Sequence, residues 1–331
     1  MTPARRKGRV TSADVLITGA AGFIGQRLSE RLRDHGLNVV ETDLRANDTG
    51  MLAMDITTQA HVREIFRKTK PKCVIHLAAI VDDRGAANLF ERVNVEGTRN
   101  VLQAAMEHPL ERFVQVSSIV ALGFDPGKGA NEHSPLVMTT GSPYFDTKAR
   151  SEDIVRKARD RQGVPVVVVR PGDVYGPGSE PWVNRPLAMM RKRLPVLVDG
   201  GRGLIAHCWI DNLVDALVLA STHTDAPGHI FQVHDGSDST TYRQYFRELA
   251  RTAGAPKPRL ALPYGPALML GRLFDEVAAR TSIEPPFSTA AVRFLSRRAT
   301  YCMRTTRNIL GFEPSVDLQE GMARLRYLLR T

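Results

Sequence analysis

The sequence predicts an α/β protein with a doubly wound parallel sheet and a smaller, mainly helical C-terminal lobe. In the first half, short apolar runs rich in β-branched residues alternate with longer segments of helical periodicity. The strands are apolar along their whole length, as is typical of parallel strands that helices cover on both faces. We expect ligands at the carboxyl ends of such strands.

Each element has its own signal. Strands are predicted at 14–18, 38–42, 73–79, 112–118 and 164–169, with a short additional strand in "MLAMD". Helices are predicted over 23–36, 58–69, 87–107 and 143–162. Gly36 and Pro71 stop the first two helices. After residue 175, Pro and Gly become frequent, and helices are expected near 209–222, 240–253, 264–280 and 286–297.

Composition argues against several classes of protein. The 331 residues are 43% hydrophobic and 24% charged, which is ordinary for a soluble globular protein. The basic start has no apolar signal region, and no run approaches the ~18 apolar residues of a membrane span. Three scattered cysteines and nine dispersed histidines give neither a disulfide framework nor a metal-ligand pattern. We therefore expect a cytoplasmic protein without a metal.

The net charge of +10 has a simple interpretation. Its arginines are scattered and form no basic stripe interleaved with aromatic residues, so nucleic acid is not an expected partner. A basic surface that attracts an anionic small molecule explains the charge better.

The segment "TGAAGFIG" directly follows the first strand and opens the first helix. Gly19, Gly22 and Gly25 let the backbone turn tightly and approach a pyrophosphate, which the free N–H groups of the helix then bind. Asp43 ends the second strand, 18 positions beyond Gly25. A carboxylate there binds ribose hydroxyls and repels a 2′-phosphate, which favours NAD over NADP. This combination predicts a dinucleotide site.

A second acidic residue follows the third short strand. Asp55, next to Ile56, is a candidate partner of the adenine amino group, and it can equally cap the helix that follows.

Tyr144 and Lys148 lie one helical turn apart and therefore share a helix face. A free phenol has a pKa near ~10, and we expect the ammonium of Lys148 to lower it so that Tyr144 exchanges protons with a substrate. Ser117 and Ser118 end the strand at 112–118, where a hydroxyl can polarise the substrate oxygen. Together with the glycine loop, these residues predict hydride-transfer chemistry.

These pieces resemble the extended short-chain dehydrogenase/reductases, a superfamily of NAD-dependent epimerases and dehydratases. The matching segments, in family order, are "TGAAGFIG", "HLAA", "NVEGTRNVLQAA", "VSSIVALG", "YFDTK", "RPGDVYGPGS" and "WIDNLVDAL". The resemblance implies a Rossmann-type NAD-binding domain over 13–175, with returning segments from about 205–235. It leaves 1–12 as a flexible basic tail and 176–331 as mainly a substrate-binding lobe. A homodimer is usual among similar enzymes.

The resemblance also implies roles for individual residues. Ser118 would polarise the substrate oxygen, Tyr144 would be the acid/base, Lys148 would hold the ribose, and Ser117 and Asn94 would support them. The implied cofactor contacts are Gly19, Ala21, Gly22, Phe23, Ile24, Gly25, Asp43, Asp55, Ile56, Leu77, Ala78, Ala79, Tyr144, Lys148, Pro171, Gly172 and Val174.

The substrate class rests on one departure from the family pattern. Sugar-nucleotide enzymes carry an arginine for the diphosphate where this chain has Ile205. The segment "SSIVALG" and the C-terminal sequence look more like the 3β-hydroxysteroid and sterol-4-carboxylate dehydrogenase branch. We therefore expect a secondary alcohol or ketone on a hydrophobic, steroid- or isoprenoid-like substrate. The alternatives are a nucleotide-sugar 4-epimerase that reduces NAD transiently and a non-catalytic dinucleotide sensor.

Overall fold

The structure, a computed structural model, describes residues 13–46, 50–82, 85–281 and 287–329. The predicted basic tail, 1–12, lies outside the described residues. Eleven strands are present in this part of the chain: β1 (Val15–Thr18), β2 (Val39–Asp43), β3 (Leu52–Ala53), β4 (Cys73–His76), β5 (Arg112–Val116), β6 (Val166–Pro171), β7 (Asp173–Tyr175), β8 (Leu197–Val198), β9 (His207–Trp209), β10 (Ile230–Val233) and β11 (Ala261–Leu262).

Twelve α-helices are found in the same part of the chain. They are α1 (Phe23–Asp34), α2 (Gln59–Thr69), α3 (Ala87–Phe90), α4 (Gly97–Met106), α5 (Pro143–Gln162), α6 (Arg185–Arg191), α7 (Ile210–Thr222), α8 (Tyr242–Thr252), α9 (Tyr264–Arg280), α10 (Thr289–Leu295), α11 (Arg304–Leu310) and α12 (Leu318–Leu328).

The main sheet has seven parallel strands in the order β10-β6-β5-β4-β1-β2-β3. The chain starts at β1, builds outward to β3, and then returns to the other side of β1 with β4. This reversal opens a crevice between the carboxyl ends of β1 and β4, where doubly wound proteins bind their ligands. The predicted doubly wound fold with a helical C-terminal region is confirmed.

Alternate residues of each strand face opposite layers of helices. Val15 and Ile17 of β1 belong to a hydrophobic core that also includes residues of α1 and α7, whereas Leu16 belongs to a second core with residues of α2, α4 and α5. This burial on both faces explains why the strands are apolar along their whole length.

Two features differ from the sequence expectations. The helix predicted over 87–107 consists of α3, a π-helical segment over Glu91–Glu96, and α4. The seventh strand, β10, and the helices α6, α11 and α12 were not predicted as elements.

Among the described residues, every helix falls short of the length and apolarity that crossing a bilayer requires.

His76 connects the strands that flank the crevice. Its ring lies between two hydroxyls, with Nδ1 2.7 Å from Thr18 Oγ1 and Nε2 3.0 Å from Thr98 Oγ1. The Thr18 hydroxyl also accepts a hydrogen bond from the backbone N–H of Ala78. Burial, with a smaller contribution from the charge of Lys148, lowers the pKa of His76 to about 3. The folded protein therefore keeps this ring neutral.

This burial predicts acid sensitivity. Below pH ~6.5 the unfolded chain protonates His76 and the folded protein does not, so this group's stabilisation is complete above pH ~6.5 and is lost towards pH ~3. Between about pH 7.5 and pH 5, the free energy of unfolding of His76→Gln should fall by about 2 kcal/mol less than that of the wild type. Urea denaturation at the two pH values measures this difference. The exposed His133 supplies the control, His133→Gln, and an identical loss in both variants would contradict the account.

Candidate active site

The loop after β1 is shaped for close backbone contact. Gly19 has φ +73°, and a Cβ there would lie 2.8 Å from the backbone nitrogen of Ala78. A Cβ at Gly25 would lie 2.4 Å from the carbonyl oxygen of Gly19. Only glycine fits both positions, so the loop stays tight between the ends of β1 and β4. The amino end of α1, which begins at Phe23, can then offer its N–H groups to an anion.

Two carboxylates lie at or just beyond the carboxyl ends of β2 and β3. Asp43 accepts a hydrogen bond from the backbone N–H of Ala21 at 3.0 Å, so its side chain lies beside the glycine loop. Asp55 accepts hydrogen bonds from the Thr57 and Thr58 hydroxyls, and it also lines the cavity described below. Burial raises the pKa of Asp55, but these hydrogen bonds outweigh it and lower the pKa overall. Asp55 does not cap α2, whose N-cap residue is Thr58, and its contact with the adenine stays a prediction.

A cavity of about 740 Å³ runs along the carboxyl ends of the strands into the C-terminal lobe. Its size is within the range of small-molecule sites. It brings together almost all of the residues singled out in the sequence: Gly19, Gly22, Phe23, Ile24, Gly25, Asp43, Asp55, Ile56, Leu77, Ala78, Ala79, Ser117, Ser118, Tyr144, Lys148, Pro171, Gly172 and Val174. Ala21 and Asn94 do not line it.

Tyr144 and Lys148, in the first turns of α5, both line this cavity. The Ser118 hydroxyl hydrogen-bonds to Tyr144, and the backbone N–H of Val120 donates to Ser118 Oγ at 3.3 Å. Lys148 Nζ donates to the carbonyl oxygen of Val116 at 2.9 Å. The phenol, the hydroxyl and the amine therefore share one part of the cavity wall.

The expected lowering of the Tyr144 pKa is wrong for this state of the protein. Burial raises the pKa of Tyr144 to about 12, and the charge of Asp173 adds to this effect, whereas the hydrogen bond from Ser118 opposes it. Lys148 does not offset the burial, because its own burial lowers its pKa to about 8 and its ammonium is engaged with Val116. At neutral pH the phenol is protonated.

Ser117 lines the cavity and also belongs to a buried hydrogen-bond network. Its hydroxyl donates to Glu152 at 2.7 Å and so is held by the protein interior and not by a ligand. Glu152, which is fully buried on α5, also accepts hydrogen bonds from Arg170 Nε at 3.0 Å and Nη2 at 2.6 Å. The charge of Glu152 partly offsets the desolvation of Lys148, one helical turn earlier. Sequence reasoning missed Glu152, although its i,i+4 spacing from Lys148 was visible.

Asn94 lies behind the cavity, in the π-helical segment. Its side-chain amide accepts a hydrogen bond from the backbone N–H of Ile80 and donates to Ile80's carbonyl and to the Thr147 hydroxyl. Asn94 thus connects the loop after β4 to α5, which fits a supporting position. The widened turn places this amide between the two elements, and such turns often occur at functional sites.

The arm of the cavity inside the C-terminal lobe is apolar. Its lining includes Trp182, Met189, Val196, Leu197, Val198, Phe246, Leu262, Phe287, Val292, Phe294 and Leu295. Ile205 is buried in the core and does not line the cavity. In the described ranges, no group of three His, Cys, Asp or Glu side chains could hold a metal ion.

Comparison with known proteins identifies the family. Residues 15–233 match the profile of the NAD dependent epimerase/dehydratase family. The chain belongs to this family. Its cofactor is NAD, and the family consists of NAD-dependent enzymes that act on small molecules.

Relatives within the family differ in substrate. The chain is 29% identical to the decarboxylating sterol-4-alpha-carboxylate 3-dehydrogenase of Candida albicans, over 93% of this chain and 95% of that protein. It is 28% identical to the UDP-glucose 4-epimerase of Vibrio cholerae, over 93% and 92%. The solved structure of MoeE5 in complex with UDP-glucose and NAD superposes with a TM-score of 0.75, at 25% identity over 96% of this chain and 98% of that one. The predicted resemblance, including its sterol-dehydrogenase branch, is confirmed, and the homodimer stays a prediction.

This family member carries a further buried ion pair at the site. Asp173 lines the cavity and pairs with Arg297, which is fully buried and lies 3.7 Å over the ring of Phe294. Asp173 also accepts a hydrogen bond from the backbone N–H of Ala206. Sequence reasoning passed over Asp173 between Gly172 and Val174, and no local signal links it to a residue 124 positions away.

The Glu152 network makes a testable prediction about the site's stability. Glu152→Gln leaves Arg170 buried without a counter-charge, so it should lower the free energy of unfolding by about 3–5 kcal/mol. Arg156→Gln is the matched control, because Arg156 lies 3.6 Å from the same carboxylate at the partly exposed edge of the network. That variant should lose less than about 1 kcal/mol. Equal losses in chemical denaturation would show that Arg170 does not depend on Glu152.

Proposed function

We propose that the protein is an NAD-dependent oxidoreductase that interconverts a secondary alcohol and a ketone on a hydrophobic, steroid- or isoprenoid-like molecule. The observation that carries this proposal is a continuous cavity. It joins the hydroxyl groups of Ser118 and Tyr144 to an arm lined by aliphatic and aromatic side chains. A substrate with one oxygen and a bulky hydrocarbon frame fits both ends of such a cavity.

The cofactor side of the cavity supports the same chemistry. The glycine loop and the amino end of α1 would hold the pyrophosphate, and the carboxylate of Asp43 would accept hydrogen bonds from the adenosine ribose. Bound NAD supplies hydride transfer at its nicotinamide ring. Lys148, on the same wall as Tyr144, would bind the nicotinamide ribose.

The side chains of the protein would then handle the proton. In the reducing direction, which requires NADH as the hydride donor, Ser118 would donate a hydrogen bond to the substrate carbonyl oxygen. Tyr144 gives its proton to the oxygen, which completes the alcohol. In the oxidising direction the same bonds form and break in reverse. Tyr144 is protonated at neutral pH, as the proton donor of a ketone reduction must be.

The charges on the cavity wall support an uncharged substrate. Among the described lining residues, Lys148 and Arg185 are the cationic ones, and Arg185 lies 3.7 Å from the carboxylate of Asp82. Arg297 is committed to Asp173 and is fully buried. A nucleoside diphosphate needs several unengaged donors, and the apolar arm does not offer them.

The second candidate is a nucleotide-sugar 4-epimerase that reduces and reoxidises NAD within one cycle. The observation that favours it is Arg185, which lines the cavity and could turn from Asp82 to a diphosphate. If this candidate is right, Arg185→Gln should weaken the binding of a UDP-sugar and leave the binding of a lipophilic alcohol unchanged.

A substrate panel tests the proposal. Purified protein is mixed with NAD and sterol, bile-acid-like or polyketide alcohols, or with NADH and the matching ketones, and absorbance of NADH is followed. We expect net NADH formation or consumption with at least one lipophilic compound. Turnover of UDP-glucose to UDP-galactose without net NADH release, and none of any lipophilic compound, would overturn the proposal.

Tyr144→Phe tests the assignment of the acid/base. This change should lower kcat by roughly 10²–10⁴-fold, because the proton donor is lost, and leave the Kd for NAD within about twofold. Tyr327→Phe, at an exposed position outside the cavity, is the control. Wild-type turnover in Tyr144→Phe would remove Tyr144 from this role.

A further inference from the structure

Helix α9 has apolar side chains on two opposite faces. Its inner face packs on α10, with Ala267 buried and Gly271 against Thr289. On its outer face, Met269 and Leu273 are 67% and 55% exposed and lie one helical turn apart. The outer face of a helix in a soluble protein is normally polar, so these two residues need an explanation.

Two further exposed leucines lie just before β11 and β8, the two strands of a small sheet that contributes to the cavity wall. Leu260, 58% exposed, precedes β11, and Leu194, 42% exposed, precedes β8. The strands β8 and β11 pair in parallel, with Leu197 opposite Ala261, so the segments that lead into them lie at the same end of the small sheet. Single exposed apolar residues are ordinary, but neighbouring ones mark an interaction surface. We call Leu194, Leu260, Tyr264, Met269 and Leu273 the apolar face.

Cations border the apolar face. The same two segments carry five exposed basic residues: Arg191, Lys192, Arg193, Lys257 and Arg259. None of the five forms an ion pair with a carboxylate of the residues that the structure describes. The acidic residues of α9, Asp275 and Glu276, lie towards its carboxyl end, where Glu276 pairs with Arg280.

The apolar face also lies outside the wall of the apolar arm. Leu262, at the end of β11, lines the cavity, and the next helix, α9, carries most of the face. Ala267, on the inner side of α9, clusters with Val198 and Val292, which both line the cavity. One thin layer of side chains therefore separates the face from the arm.

We propose that the apolar face docks this protein on the surface of an anionic lipid bilayer. Apolar side chains of an interfacial helix enter the headgroup region, and the basic residues beside them attract anionic lipids. A second copy of the chain suits this surface less well, because a symmetric contact would bring the five basic residues of each copy together. In this orientation, one layer of side chains separates the apolar arm from the bilayer, which is the phase that dissolves a lipophilic substrate.

Co-sedimentation with vesicles tests the proposal directly. The full chain is mixed with vesicles of phosphatidylcholine alone or with about 30 mol % phosphatidylserine, and the bound fraction is measured against lipid concentration. We expect tighter binding to the anionic vesicles, weakened by added salt. Lys257→Gln with Arg259→Gln should weaken this binding about 20–30-fold, and Met269→Ser with Leu273→Ser at least about tenfold.

Matched controls separate the face from general surface effects. Arg67→Gln with Arg161→Gln removes two exposed cations from α2 and α5, and Leu329→Ser removes an exposed leucine near the carboxyl end. Both controls should bind vesicles like the wild type. The proposal is overturned if the wild-type protein does not bind anionic vesicles. It is overturned as well if the variants of the apolar face and the control variants bind these vesicles equally. It is also overturned if light scattering shows wild-type dimers that Met269→Ser with Leu273→Ser dissociates, without vesicle binding.

The docking surface is argued partly from the same apolar arm as the proposed function, but vesicle co-sedimentation measures binding and not turnover. Loss of vesicle binding would leave the proposed oxidoreductase untouched. An enzyme that acts only on UDP-sugars, while still binding anionic vesicles, would refute the proposed function and keep the docking surface.

Discussion

The buried carboxylate of Glu152 is the group on which the site depends. It accepts three hydrogen bonds, two from Arg170 of β6 and one from Ser117 after β5, and it stands on the helix that carries Tyr144 and Lys148. A charge buried without its partners costs several kcal/mol, so this network is stable only when α5 is packed against β5 and β6 in this arrangement. That packing determines the position of the Tyr144 phenol relative to the edge of the sheet.

Burial also sets the protonation state of the groups around the cavity. Burial lowers the pKa of Lys148 to about 8, and the charge of Glu152 limits this fall. Tyr144 is desolvated as well, and its pKa rises to about 12. The site therefore holds a neutral phenol beside an amine that titrates just above neutral pH. This arrangement is suited to giving a proton to an oxygen that becomes negatively charged during hydride transfer.

Local sequence patterns predicted the sheet, the glycine loop and the shared helix face of Tyr144 and Lys148, because each depends on residues close together in the chain. Long-range partners could not be predicted in this way. The bond from Ser117 to Glu152 joins residues 35 positions apart, and no local pattern links them. The pair of Asp173 with Arg297 joins β7 to the segment that follows α10, 124 positions later. The π-helical turn at Asn94 has no periodic signal, since it interrupts an otherwise regular helix.

The central claim is that the reacting oxygen lies between Ser118 and Tyr144 while the hydrocarbon frame fills the arm lined by Leu262, Val292 and Phe294. A crystal structure with NAD and an inert lipophilic alcohol bound tests it most directly. The account predicts the alcohol oxygen within about 3 Å of both hydroxyls, with the frame in that arm. An alcohol bound elsewhere, or the ring of Tyr144 turned away from the nicotinamide, would contradict it.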